Sequence, residues 1–278
     1  MLVTGFVLFV LLLSWIFDEA AGTGGLLTFC GFALALFGGF TSYWYSDKLV
    51  LGMSRARPVA RETEPYIVNT VEALAIAAGL PVPACYIIED PAPNAFATGR
   101  DPRHAAIALT RGLVTKMDRL ELEGVIAHEL AHIQNFDTRL QMLTAVLAGT
   151  VAYISEWFAR SMIWGGIDED NGGNVVFAVI GLVLAIVAPF AAVVMQMSIS
   201  RKREFLADAS AAVLTRYPDG LAGALRKIAA DTTPLRVANR ATESLYIFNP
   251  LKDRNKGIDG LFNTHPPIEE RIRRLEAM

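Results

Sequence analysis

The fold class the sequence predicts is a mostly α-helical membrane protein: four transmembrane helices plus a cytoplasmic α+β domain with a small β-sheet. Three observations predict it. Four long runs carry no charge at all. Lysine and arginine gather on one side of those runs. Between them lie polar regions whose periodicity switches between helix and short strand. The composition agrees. Of 278 residues, 53% are hydrophobic and 19% charged, and the mean hydropathy is +0.37. Counting glycine and leaving out tyrosine, the apolar share is about 58%, above the usual range of about 45–50%. That excludes a disordered chain, which is apolar-poor and charge-rich.

The uncharged runs are Met1–Phe17, Ala20–Ser46, Leu140–Ser155 and Asn171–Ser200. A bilayer core takes about 20 helical residues, with a range of about 17–25. The second and fourth runs meet that length and the first reaches its lower limit. The third is short unless it continues past Glu156 to Trp157 and Phe158, an aromatic pair suited to an interface. The first run lacks the basic start of a signal peptide, so it reads as one arm of a retained hairpin. The turn after it carries Asp18 and Glu19. Basic residues follow the second run (Lys48, Arg55, Arg57, Arg61), precede the third (Arg139) and follow the fourth (Arg201, Lys202, Arg203). By the positive-inside bias, these segments and both termini face the cytoplasm. The expected organisation is a hairpin over 1–46, a first polar part over 47–139, a second hairpin over 140–200 and a second polar part over 201–278.

Within the first polar part, Ile67, Val71, Leu74 and Ala78 recur at helical spacing, and Gly79 with Pro81 ends the helix. Ala84–Ile88, Asn94–Thr98 and Ala105–Leu109 read as short strands, with turn chemistry at Gly99–Pro102. A helix then begins at Asp118, which can cap the Glu121 amide, and runs to about Asn135. A last helix is expected over Ile268–Ala277. Arg271, Arg273 and Arg274 in it read as a solvated basic face. A net charge of −3 and the lack of a basic stripe argue against a nucleic-acid partner. Cys30 and Cys85 are too few for a disulfide scaffold and read as small buried residues.

The chemistry sits on the helix from Asp118. His128 and His132 are four residues apart, so both imidazoles leave one face and can bind one metal ion. Glu129 stands beside the first, where a carboxylate can take a proton from a metal-bound water. This is the H-E-x-x-H arrangement. Only four histidines occur in the chain, which makes a chance pairing improbable. A catalytic zinc takes three protein ligands and leaves a position for water. The third ligand of a metzincin is excluded, because Asn135 and Thr138 stand where glycine and histidine are required. Candidates are Asp137, Glu204, Asp208 and His265. Asp137 is too close along the same helix to swing back easily. Glu204 and Asp208 are four apart, so one could bind the metal while the other holds a ligand imidazole. For either to join His128, an even number of spans must separate the two segments.

These pieces occur in a telling order: Ala56-Arg57-Pro58-Val59, Asn94-Ala95-Phe96-Ala97-Thr98-Gly99, Gly124–Ala127 leading into His128–His132, Asn135 and Asp137, Ser200-Arg201 with Glu204 and Ala207-Asp208, and Thr264-His265-Pro266-Pro267 with Arg271-Ile272. In this order the sequence resembles the HtpX-like membrane zinc metalloproteases, a family related to the CAAX prenyl proteases. The resemblance implies a zincin-like (gluzincin) metalloprotease domain in the cytoplasm, at the inner (plasma) membrane. It implies one Zn2+ per chain held by His128, His132 and Glu204, with Glu129 as catalytic base and Asp208 beside the ligands. It implies proteolytic quality control of misfolded or damaged membrane proteins, a stress-response role. Protein substrates and the lipid bilayer are then the expected partners.

Other residues are read more openly. Asn94, Ala95, Phe96 and Ala97 form either a substrate-binding edge strand or an ordinary strand. Asn135 orients the helix end through its amide or simply caps it. Arg201 pairs with an acidic group near the metal or anchors the span. His265 starts the last helix or touches substrate. Two competing functions are a prenyl-protein processing protease and a membrane scaffold with a structural zinc. Glu129 argues against the scaffold, because a structural site has no use for a carboxylate beside its ligand.

Overall fold

The computed structural model describes residues 24–141, 201–237, 242, 245–248 and 266–278, together with Leu8, Leu11, Leu12 and Trp15. The chain divides into two compact units, Met1–Tyr45 with Leu143–Met195, and Ser46–Met142 with Gln196–Met278. Helix α1 spans Leu26–Met53 and takes up most of the second uncharged run. The fourth run lies outside the described residues, and nearly all of the first and third do. Among the described residues, no helix is long and apolar enough to cross a membrane. The fold described is mostly helical with a small mixed sheet.

The second unit follows the expected elements closely. Strand β1 is Arg57–Pro58 and helix α2 is Pro65–Ala77. Pro65 is pre-set for the first helical turn, and Gly79, at φ +68°, lets the chain turn away after it. Strands β2 (Ala84–Ile88), β3 (Ala95–Thr98) and β4 (Ala106–Thr110) complete the sheet in the order β1-β2-β4-β3. The β2–β4 pair is parallel and the other two are antiparallel, so β3 is an edge strand. Alternation decides which side chains go where. Cys85, Ile87, Ala95, Ala97, Ile107 and Leu109 join the core shared with the helices. Ile88, Phe96, Ala106 and Ala108 face a smaller cluster with Val50, Leu51 and Tyr246.

Short helix α3 (Arg111–Lys116) leads to α4, Arg119–Gln134. A capping box starts α4: Asp118 accepts from the Glu121 amide at 2.9 Å, and Glu121 accepts from the Asp118 amide at 2.8 Å. Helix α4 is buried on almost every side, between the sheet, α2, α5 (Arg201–Thr215) and α6 (Pro218–Ala230). Helix α7, Ile268–Glu276, closes the unit against α5 and α6. Leu221, Leu225 and Ile228 give α6 its buried stripe.

Gly124 is one of the places where α4 and α6 approach closely. A Cβ there would lie 2.6 Å from the Leu221 amide nitrogen, inside any real contact. Gly124→Ala is therefore predicted to force the helices apart and cost about 1–3 kcal/mol. The denaturant midpoint of purified protein checks this, and an unchanged midpoint contradicts it.

Candidate metal centre

His128, Glu129 and His132 project from the most buried part of α4, with exposures of 0%, 2% and 5%. Helix α5 brings Glu204 and Asp208, both buried, to the same place. His128, His132 and Glu204 each offer one ligand atom, and these atoms all lie within 4.8 Å of one another. The two Nε2 atoms are 3.1 Å apart. Glu204 Oε1 is 3.5 Å from His132 Nε2, and Oε2 is 3.8 Å from His128 Nε2.

Each imidazole is held from behind. His132 Nδ1 donates to Asp137 Oδ2 at 2.9 Å, and His128 Nδ1 lies 3.0 Å from Asp208 Oδ1. A carboxylate on Nδ1 aims Nε2 at the metal position, as in carboxylate–histidine–zinc arrangements. Asp137 is thus a partner of a ligand rather than a ligand. It gets there because Phe136, at φ 57°, turns the chain back just after the Asn135 cap. A left-handed phenylalanine costs about 1–2 kcal/mol, and the turn it makes is the one His132 needs.

Arginines lock both carboxylates. Arg203 bonds Asp137, and its Nη2 donates to the Asn135 carbonyl at 2.8 Å. Arg271 donates to Asp208 through Nε at 2.9 Å and Nη2 at 2.7 Å, and its Nη1 lies 3.4 Å from Glu204 Oε2. The solvated-face reading of Arg271 is therefore wrong. Arg271 is 2% exposed, on the same face of α7 as Leu275. Arg273 and Arg274 do face solvent, Arg274 paired with Glu270 and stacked on Phe205. Arg201 is exposed at the start of α5, and Arg203 reaches Asp137, the acidic group behind His132. His265 lies outside the described residues.

The charges are arranged for a cation. Burial acts to lower the His132 imidazole, yet the Asp137 hydrogen bond and the charges of Glu204 and Glu129 raise it to about 9. Burial lowers His128 to about 4, against its bond to Asp208. Burial acts to raise Asp208, but the Arg271 charge and the bonds from His128 and Arg271 hold it at about 2. Three carboxylates around His132 thus call for positive charge at this spot. The geometry fits a metal as well as a proton. Two nitrogens about 2.0–2.1 Å from a tetrahedral zinc lie about 3.3–3.4 Å apart, close to the spacing found here. Glu129 is also buried, which pushes its carboxyl up to about 7 against the pull of His132 and of a hydrogen bond from the Ala97 backbone.

That last bond ties β3 to the site. Asn94, Ala95, Phe96 and Ala97 are all buried, with Ala95 and Ala97 in the core shared with α4. The outer side of β3 meets Leu245–Phe248, where the Ile247 amide donates to the Ala95 carbonyl at 2.9 Å.

Two neighbouring helices bring two histidines and a glutamate to one point, with a second glutamate on the first helix, an arrangement that defines a possible metal centre. The comparisons narrow this. The model of peptidase family M48 matches residues 61–278, and the chain belongs to that family. A protein from Dictyoglomus thermophilum named Protease HtpX homolog is 47% identical over 257 residues, covering 92% of this chain and 83% of that one. One of the same name from Tropheryma whipplei (strain Twist) is 45% identical over 278 residues, covering 96% and 94%. The crystal structure of S. mikatae Ste24p shares the fold with a TM-score of 0.52 at 17% identity. The match covers 98% of this chain and 63% of that one. The chain is a metalloprotease, and His128, His132 and Glu204 form a possible metal site.

Asp137→Asn is predicted to weaken metal affinity about 10–100-fold, read by competition with a chromophoric chelator; unchanged affinity contradicts the role. Arg271→Met takes the buried guanidinium away from Asp208 and Glu204 and is predicted to cost about 3–5 kcal/mol of stability. Denaturant unfolding measures it, and a loss below 1 kcal/mol, about the upper end for an exposed pair, contradicts it.

Proposed function

We propose that the chain is an integral-membrane zinc endopeptidase that hydrolyses peptide bonds of misfolded or damaged membrane proteins. The observation that carries this reading is the convergence of His128, His132 and Glu204 with Glu129 alongside, each imidazole backed by a carboxylate. The donor set, two imidazoles and one carboxylate, is one that catalytic zinc uses. Four uncharged runs and the one-sided distribution of basic residues support a membrane protein with both polar parts in the cytoplasm. On this reading, 47–139 and 201–278 make one catalytic domain interrupted by the hairpin 140–200.

His128, His132 and Glu204 would hold the zinc, which would supply a lowered water pKa, toward about 7, and polarisation of the scissile carbonyl. The rest falls to this chain's own residues. Glu129 accepts the water proton at its carboxylate and returns it to the leaving amine. A group that does both works best with a pKa near the operating pH, and burial puts Glu129 there. Asp137 and Asp208 keep the two imidazoles in the tautomer that points Nε2 inward. Arg271 fixes Asp208 and stands beside Glu204. The outer edge of β3, at Asn94–Ala97, receives the substrate as an added strand. Main-chain pairing suits loose sequence specificity, because every polypeptide offers the same groups.

Glu129→Gln in purified, detergent-solubilised protein is predicted to keep one zinc per chain while cleavage of an unfolded test protein falls by about 10²-fold or more. Metal analysis and gel-based cleavage assays read the two quantities. Cleavage at the wild-type rate sinks the mechanism. A wild type that never holds close to one zinc per chain sinks the site.

A further inference from the structure

The outer edge of β3 is already in use by the chain itself. The Ile247 amide donates to the Ala95 carbonyl at 2.9 Å. Asn94 Nδ2 donates to the Phe248 carbonyl at 2.9 Å, and the Phe248 amide reaches Asn94 Oδ1 at 3.4 Å. The segment is bent rather than a strand, yet it takes up groups an added strand would use: one main-chain bond on the outer edge of β3, and a side-chain amide on the next peptide group. Tyr246 anchors the segment. Its ring stands edge-on to Phe96 at 5.1 Å, and its hydroxyl lies 3.3 Å from Ser54 Oγ. The Ile247 carbonyl accepts from Arg271 Nη1 at 3.3 Å, which puts the segment within reach of the arginine that holds Asp208 and lies against His128.

We propose that Leu245–Phe248 is a built-in strap that occupies the substrate edge of β3 and must leave before a polypeptide can bind. The proposal rests on the reading that this edge receives substrate. Physically, the strap makes binding an exchange. A peptide that offers only the same few groups gains nothing by displacing it. A longer extended segment, paired with β3 along more of its length, does gain. Short loops of folded proteins are thereby refused, and extended, unfolded stretches with an aromatic or apolar residue for the place of Tyr246 are admitted. The strap also lowers apparent affinity by the fraction of time the edge is free.

The test uses full-length, zinc-loaded protein in detergent and an unstructured fluorogenic peptide. Ile247→Pro deletes the amide that bonds Ala95 while keeping the carbonyl that meets Arg271. The expected result is a KM about 5–10-fold lower with kcat unchanged, as for release of a competing internal ligand. An unchanged or higher KM in a variant that unfolds at the wild-type temperature overturns the strap. A second measurement does not depend on that variant folding. Hydrogen exchange of the Ile247 and Phe248 amides is followed in Glu129→Gln protein with and without saturating peptide. Loss of their protection on binding supports the strap, and retained protection with peptide bound overturns it. Cleavage by wild type with those amides still protected is the failure of the strap alone. No metal-dependent cleavage at all overturns the protease reading and the strap with it.

Discussion

The site depends on a buried arginine. Arg271 comes from the last helix, and it is the side chain that connects that helix to both ligand-bearing helices. It bonds Asp208 with two nitrogens, lies against Glu204 and His128, and donates to the Ile247 carbonyl. A guanidinium out of water costs several kcal/mol unless its geometry and partners offset it. Here the planar fork matches one carboxylate bidentately and leaves a nitrogen for another, an arrangement a lysine cannot reproduce. The carboxylates need the arginine just as much, because two buried acids on one helix turn would otherwise repel. Stability and site geometry are therefore one problem with one solution.

On the far side of the site a parallel arrangement serves His132. There the carboxylate comes from the first helical residue after the turn at 135–136, and the arginine, Arg203, from the first turn of α5. Each imidazole thus has the same three-part support: ring nitrogen, carboxylate, guanidinium. The consequence is rigidity before any ligand arrives. Nε2 atoms 3.1 Å apart, aimed at one point from a helix buried nearly all round, need little rearrangement to receive a cation. The rigid pair lies beside β3, whose Ala97 amide reaches Glu129. Glu129, proposed as the base, and the strand proposed to carry substrate are thereby set relative to each other by a main-chain contact.

How much of this was legible in the sequence varies with the range of the interaction. His128, Glu129 and His132 were readable because helix geometry alone places them. The three longer strands and the helix cap at Asp118 were readable for the same local reason. Glu204 could be reduced only to a short set of candidates by residue chemistry, since its place depends on how α5 lies against α4. Straight-helix geometry sets Asp137 aside as a metal ligand, and its place behind His132 carries no sequence signal because it depends on the left-handed Phe136. Arg271 reads as solvated by its charge, although its position says otherwise. It falls three residues after Ile268 and four before Leu275, on the apolar face of α7, and that spacing was the available signal. Leu245–Phe248 gave no signal at all, because it meets β3 across some 150 positions of chain. The expected membrane spans rest on composition alone: the runs lie largely outside the described residues, and among those described no helix is long and apolar enough to cross a membrane.

X-ray absorption at the zinc edge of the loaded protein, in wild type and Glu204→Ala, tests the central claim most directly. The account predicts a light-atom shell with the multiple-scattering signature of two imidazoles in wild type. In Glu204→Ala the imidazole signature persists while zinc is held more weakly. A sulfur in the shell, fewer than two imidazoles, or a spectrum and affinity untouched by Glu204→Ala would contradict it.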